Sequence, residues 1–179
     1  MGLLFETNPT EGPSPIGYQF QDLSKSIQKL PWSKSKATPS WKLATHGLNL
    51  EGKFDVTEIK LRNKLTFFFH IFSGHKGYCK NILCEAYENR VIIMWGYRNF
   101  DFYYNEHKCR CPRCNKYVEP ITCGFVNTHW KYEGVKKVKG HPPEKVRCDW
   151  KFAEDDGYTT FEREDIVSWQ RLTISIKKP

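Results

Sequence analysis

The chain of 179 residues carries seven cysteines, and four of them fall into two short-spaced pairs. Cys79 and Cys84 have four residues between them, and Cys111-Pro112-Arg113-Cys114 has two; 26 residues separate the pairs. A tight turn at each pair can aim two thiolates at one metal. The pattern therefore predicts a tetrahedral Zn2+ site, with Cys79, Cys84, Cys111 and Cys114 as ligands, pinning two distant β-turns together. Four thiolates saturate zinc, and a saturated shell is structural, because catalytic zinc keeps a position open for water. Such a site has no counterpart in the unfolded chain, so metal binding contributes folding energy. Lys80, Lys108, Arg110 and Arg113 would temper the charge of four thiolates. Cys109 and His107 stand next to the second pair as alternative ligands, although a C-x2-C turn converges two sulfurs better. Cys123 and Cys148 read as core thiols.

Other chemistry finds little support. The chain has no Gly-rich phosphate loop, no His-Glu-x-x-His and no G-x-S-x-G. Glu154, Asp155 and Asp156 read as a solvated turn, and eight ligands in the order of a cross-braced ring are not present. The chain is read as a binding protein and not an enzyme. Its net charge of +8 and pI near 9.1 suit nucleic acid or an acidic protein surface, with a modest cluster at Lys131, Lys136, Lys137 and Lys139. The longest apolar patch, Leu65 to Phe72, is broken by His70 and falls well short of the roughly 20 residues of a membrane helix. The N-terminus lacks the basic start and apolar run of a signal peptide. The expectation is a cytoplasmic or nuclear chain with no membrane segment. A thiol-reducing compartment favours metal over disulfides.

The elements that must hold the cysteines read as strands. Residues 1–40, punctuated by Pro9, Pro13, Pro15, Pro31 and Pro39, read as a flexible arm. Within it, Leu23, Ile27 and Leu30 share one helical face behind a capping Asp22, which predicts a short helix ended by Pro31. Residues 41–179 read as one zinc-binding β-rich module. Trp41 to Gly52 is a short strand between turns. Phe54 to Ser73 is a strand pair ending in the aromatic run Phe67 to Phe72. Val91 to Tyr97 and Asn99 to Tyr104 follow as strands. Tyr117 to Val126, His129 to Tyr132, Val146 to Phe152, Tyr158 to Phe161 and Val167 to Ile176 complete the set, with a loop at 139–144. In the last, Val167, Trp169, Leu172, Ile174 and Ile176 mark a half-buried strand.

Four stretches also resemble, in order, an uncharacterised group of zinc-ribbon-like modules in protist and fungal proteins. They are Gly47-Leu48-Asn49-Leu50-Glu51-Gly52; Cys79-x4-Cys84-Glu85-Ala86-Tyr87; Cys111-Pro-x-Cys-x-Lys-Tyr-Val-Glu-Pro-Ile-Thr-Cys-Gly-Phe125; and Trp130-Lys131-Tyr132-Glu133-Gly134. In some of those proteins the module follows a ubiquitin-like domain. The resemblance covers roughly residues 41–52 and 79–176 and implies the zinc-held fold, with no activity attached. The chain departs from the pattern twice. Residues 53–78 intervene before the first cysteine, as an inserted hairpin or a translated intron, and Thr128 stands near where the group often has a further cysteine.

The fold class expected is mostly β: small antiparallel sheets around a zinc-ribbon-like site, with an irregular N-terminal arm. The function expected is a structural zinc-binding module acting as a protein-interaction domain. The alternative is a nucleic-acid-binding zinc ribbon that uses basic and aromatic residues.

Overall fold

The computed structural model describes residues 17–32, 38–51, 79–138, 140–162 and 165–179 of the chain. The strand pair expected at Phe54 to Ser73, and the insertion at 53–78, lie outside the described residues. The strands are β1 (Tyr18–Gln21), β2 (Ile27–Pro31), β3 (Gly47–Glu51), β4 (Ile92–Gly96), β5 (Phe100–Asp101), β6 (Thr122–Val126), β7 (Thr128–Lys137), β8 (Glu144–Arg147), β9 (Lys151–Ala153), β10 (Gly157–Phe161) and β11 (Ile166–Lys177). They form two antiparallel sheets. The six-stranded sheet runs β1-β11-β7-β8, with β5 also on β11 and β9 on β7; the five-stranded sheet runs β2-β10-β6-β3-β4. The mostly β expectation holds.

Alternation explains how each strand meets the core. In β7, Trp130 and Tyr132 are buried while Glu133 and Lys137 are exposed. In β11 the buried set steps from Trp169 to Leu172, Ile174 and Ile176, a change of parity. A bulge between Trp169 and Arg171 absorbs the extra residue and keeps both halves facing inward. The two sheets share one core, where Phe125 of β6 stacks on Trp130 of β7 at 4.2 Å and 5°. Phe100 and Phe102 meet edge to face at 4.9 Å, with Phe20 and Trp95 against them. Gly134 makes room for the Trp169 indole, because a Cβ there would lie 2.8 Å from the ring. Gly124 does the same for Tyr158 on the outer side of β6, at 2.3 Å.

Several expectations are corrected. The helix predicted behind Asp22 is a corner and a strand. The Asp22 carboxylate accepts the Ser24 N–H at 3.1 Å and the Ser24 hydroxyl at 2.7 Å, which closes a local turn in place of a helix cap. Leu23 is buried, but Ile27 and Leu30 are exposed on β2, so the three never share a face. Residues 17–32, assigned to the flexible arm, instead supply one strand to each sheet: β1 pairs with β11 and β2 with β10. Pro31 sits at the end of the edge strand β2, where a missing N–H does little harm. The second correction is at Asn99 to Tyr104. Only Phe100–Asp101 is extended, and Phe102–Asn105 forms one helical turn. Asp101 caps it, accepting the N–H groups of Tyr103 at 2.9 Å and Tyr104 at 3.4 Å. Trp41 to Gly52 likewise begins with a 3-10 turn at Ser40–Lys42 before β3. Val146 to Phe152 is divided between β8 and β9.

Candidate metal centre

The four cysteines sit in two loops at one end of the five-stranded sheet. There β3 ends, β4 and β6 begin, and all three are neighbours. The Ile121 N–H donates to Glu51 O at 3.0 Å and extends the ladder toward the loops. In the first loop Cys84 N donates to Asn81 O at 2.9 Å and Glu88 N to Cys79 O at 3.0 Å. In the second, Cys111 N donates to Lys116 O at 2.8 Å and Val118 N to Cys109 O at 3.1 Å. Glu88 (φ 54°) and Asn115 (φ 57°) take the left-handed backbone that these turns need. Asparagine tolerates that conformation better than most residues.

These turns bring the four sulfurs within 4.8 Å of one another. Cys79 Sγ lies 3.4 Å from Cys114 Sγ, and Cys84 Sγ lies 4.0 Å from Cys111 Sγ. Four thiolates at about 2.3 Å from a tetrahedral ion stand about 3.8 Å apart, so the cluster has the size of such a shell. The group could hold a metal ion. Cys79, Cys84 and Cys111 are buried and Cys114 is half-buried, continuous with the core through Ala86, Val91 and Val118.

Each sulfur also accepts the peptide N–H two residues further on. Ala86 N donates to Cys84 Sγ at 3.4 Å. Asn81 donates to Cys79, Arg113 to Cys111 and Lys116 to Cys114. Amide donors favour the thiolate form. Against them, burial pushes the Cys79 and Cys111 thiols up. Burial opposes ionisation of Cys114 too, but the Lys116 N–H and the neighbouring thiols bring it down to about 6. The Cys114 thiolate therefore forms readily while Cys79 and Cys111 resist, and a cation at the centre is what four thiolates need to coexist.

The alternatives fall away. Cys109 is buried, but its sulfur is outside the four-sulfur group, and burial with the Glu106 carboxylate raises its thiol to about 12. His107 is exposed in a 3-10 turn and does not join the group. Cys123 is fully buried in β6, and Cys148 Sγ accepts the Tyr132 N–H at 3.4 Å, so both are accounted for by packing.

Several contacts that position the centre were not read from the sequence. Arg113 reaches across to Glu85, with Nε to Oε2 at 3.0 Å and Nη2 to Oε1 at 2.7 Å, and so clasps one loop to the other from outside. This pairing lowers the Glu85 carboxyl. Its only signal was an acidic residue after one cysteine and an arginine inside the other pair. Arg90, just after the first loop, places Nε 2.8 Å from buried Glu51, and the Tyr158 hydroxyl donates to the same carboxylate. The basic cluster is divided: Lys131 and Lys137 lie on the outer side of β7, while Lys136 turns inward to Asp22 at 3.4 Å. Lys139 lies outside the described residues. No helix among the described residues is long and apolar enough to cross a membrane. Compared with protein-family models, curated proteins and solved structures, the chain finds no match.

Proposed function

We propose that the chain is a structural zinc-binding module that acts by binding a partner and not by catalysis. The observation that carries this reading is the closed group of four cysteine sulfurs, each with its own peptide N–H. An all-thiolate set selects zinc over harder divalent ions, and four such ligands leave no position for a reacting group. The resemblance to zinc-ribbon-like modules agrees with this reading, as does a cytoplasmic or nuclear setting in which the thiols stay reduced.

A protein partner is supported by the tip of the first loop. Ile82 is 73% and Leu83 90% exposed, directly between two ligands that the metal would hold still. Two adjacent apolar side chains on a rigid turn suit an apolar cleft on another protein, because little ordering entropy remains to be lost on docking.

The test is elemental analysis of the purified chain beside a Cys111→Ser, Cys114→Ser variant. About one zinc per chain is expected, with the variant losing both metal and cooperative folding. A folded wild-type chain without metal would end the reading. For docking, Leu83→Asp should abolish partner capture while leaving zinc content and thermal midpoint unchanged.

A further inference from the structure

The outer face of the six-stranded sheet gathers basic and aromatic side chains. The parity of β7 sends His129, Lys131, Glu133, Val135 and Lys137 outward, opposite the buried Trp130 and Tyr132. Register then fixes their neighbours. Lys177 lies opposite His129 and Arg171 opposite Val135 on β11. Arg147 lies opposite Glu133 and Lys145 opposite Val135 on β8. One face thus gathers Lys131, Lys137, Lys145, Arg147, Arg171 and Lys177. Two carboxylates among them are engaged: Glu133 pairs with Arg171 at 3.8 Å, and Asp101 accepts the Thr173 hydroxyl at 2.9 Å and caps its helical turn; exposed Asp149 adjoins Trp150.

Two aromatic side chains stand within this field. Trp150 is 38% exposed, with the Lys131 ammonium 5.2 Å and the Lys177 ammonium 4.3 Å from its ring centroid. Phe152, opposite His129 in register, is 48% exposed and packs on that imidazole at 4.8 Å. Toward the other end a depression is lined by Glu133, Val135, Lys145, Arg147 and Arg171. From His129 to Val135 the track is about 20 Å long at ~3.4 Å per residue.

We propose that this face binds single-stranded nucleic acid, with the cations on phosphates and Trp150 and Phe152 as stacking platforms for bases. The ligand must be a polyanion to answer six cations with two engaged carboxylates. It must also carry planar rings to answer two exposed aromatic platforms set among ammonium groups. Single strands offer both at once, whereas duplex bases are already stacked on each other and out of reach of a flat sheet. An acidic protein would meet the charge but leave the platforms unused. This surface is distinct from the exposed loop tip at Ile82 and Leu83, so the proposal stands apart from protein docking there.

The test is fluorescence anisotropy of labelled 12-nucleotide oligo(U) and oligo(dT) with the full chain, from 50 to 200 mM salt. If four phosphates are contacted, affinity should fall about 50-fold over that range. Trp150→Ala should weaken binding about tenfold, and Trp150→Tyr should restore most of it. Lys131→Ala with Lys177→Ala should weaken binding and cut the logarithmic salt slope by about 1.4. Circular dichroism and metal content establish that each variant is folded. No binding by the folded chain at 50 mM salt would overturn the proposal. So would affinity unchanged in all three variants, duplex bound as tightly as single strands, or polyglutamate competing as well as the oligonucleotides, which would assign the face to an acidic protein.

Discussion

Single side chains differ in how much of their setting is local. Tyr158 depends on a distant one. Its ring lies over Gly124, and its hydroxyl donates to Glu51, whose carboxylate also holds Arg90. Burial of the hydroxyl, with the Glu51 charge beside it, holds this phenol well above its ordinary value of 10.0. The folded chain therefore binds the phenolic proton more tightly than the unfolded chain. The associated stability is complete below pH 10 and is lost as pH rises toward the folded-state value. Tyr158→Phe should blunt the alkaline limb of a stability–pH profile and cost about 1.5–3 kcal/mol at neutral pH, as expected for a bond to a charged group. Urea unfolding from pH 7 to pH 11 checks both; an unchanged alkaline limb would remove Tyr158 from the account. The cysteines are the opposite case. Each pair lies within a few residues of sequence, so spacing alone pointed to the four sulfurs that come together. Glu51, Arg90 and Tyr158 carry no such signal, because nothing local says which residues the sheet will bring together.

Elements show the same division. The corner between β1 and β2 is tied to β7 by Lys136 and Asp22, whose side chains are 11% and 7% exposed. Asp22 is held below its ordinary range. Burial works against this, but the Ser24 hydroxyl and N–H and the Lys136 ammonium outweigh it. A carboxyl depressed in this way contributes stability above about pH 4 that is lost as pH falls through the folded-state value. Asp22→Asn should cost about 3 kcal/mol at pH 7 by leaving a buried ammonium short of charge, and the loss should shrink toward pH 3. Chemical denaturation at both pH values measures it. The strands rich in aromatic and β-branched residues, β4, β7, β10 and β11, were legible because such residues on each of them are buried. β2 was not: its side chains are mostly exposed, and what makes it a strand is the backbone of β10, far along the chain. The helical turn at Phe102–Asn105 was hidden by three aromatics that favour strands. The Asp101 cap decided it, and only Phe102 of the turn is buried.

At the scale of the molecule, early and late strands of the described residues meet. Tyr18 of β1 lies opposite Trp169 of β11, and Ile27 of β2 opposite Phe161 of β10. Each sheet therefore has an early strand whose partner is made last. At about 5–20 residues per second, synthesis takes roughly 8–30 s to pass from β1 to β11. Throughout that interval β1 and β2 are open edges able to pair with another nascent chain. The cysteine loops close over a much shorter separation and can form before either sheet is complete. Time of synthesis thus becomes a hazard that the topology itself creates; β10 ends it for β2, and the twelve residues of β11 end it for β1 by pairing with β1, β5 and β7 together. A chain stopped after residue 165 should give no cooperative thermal transition and should aggregate, and refolding of the whole chain should fall in the millisecond-to-second range of nonlocal β proteins, measured by stopped-flow tryptophan fluorescence. A cooperative transition in the shortened chain would mean that β7 alone can seal the six-stranded sheet.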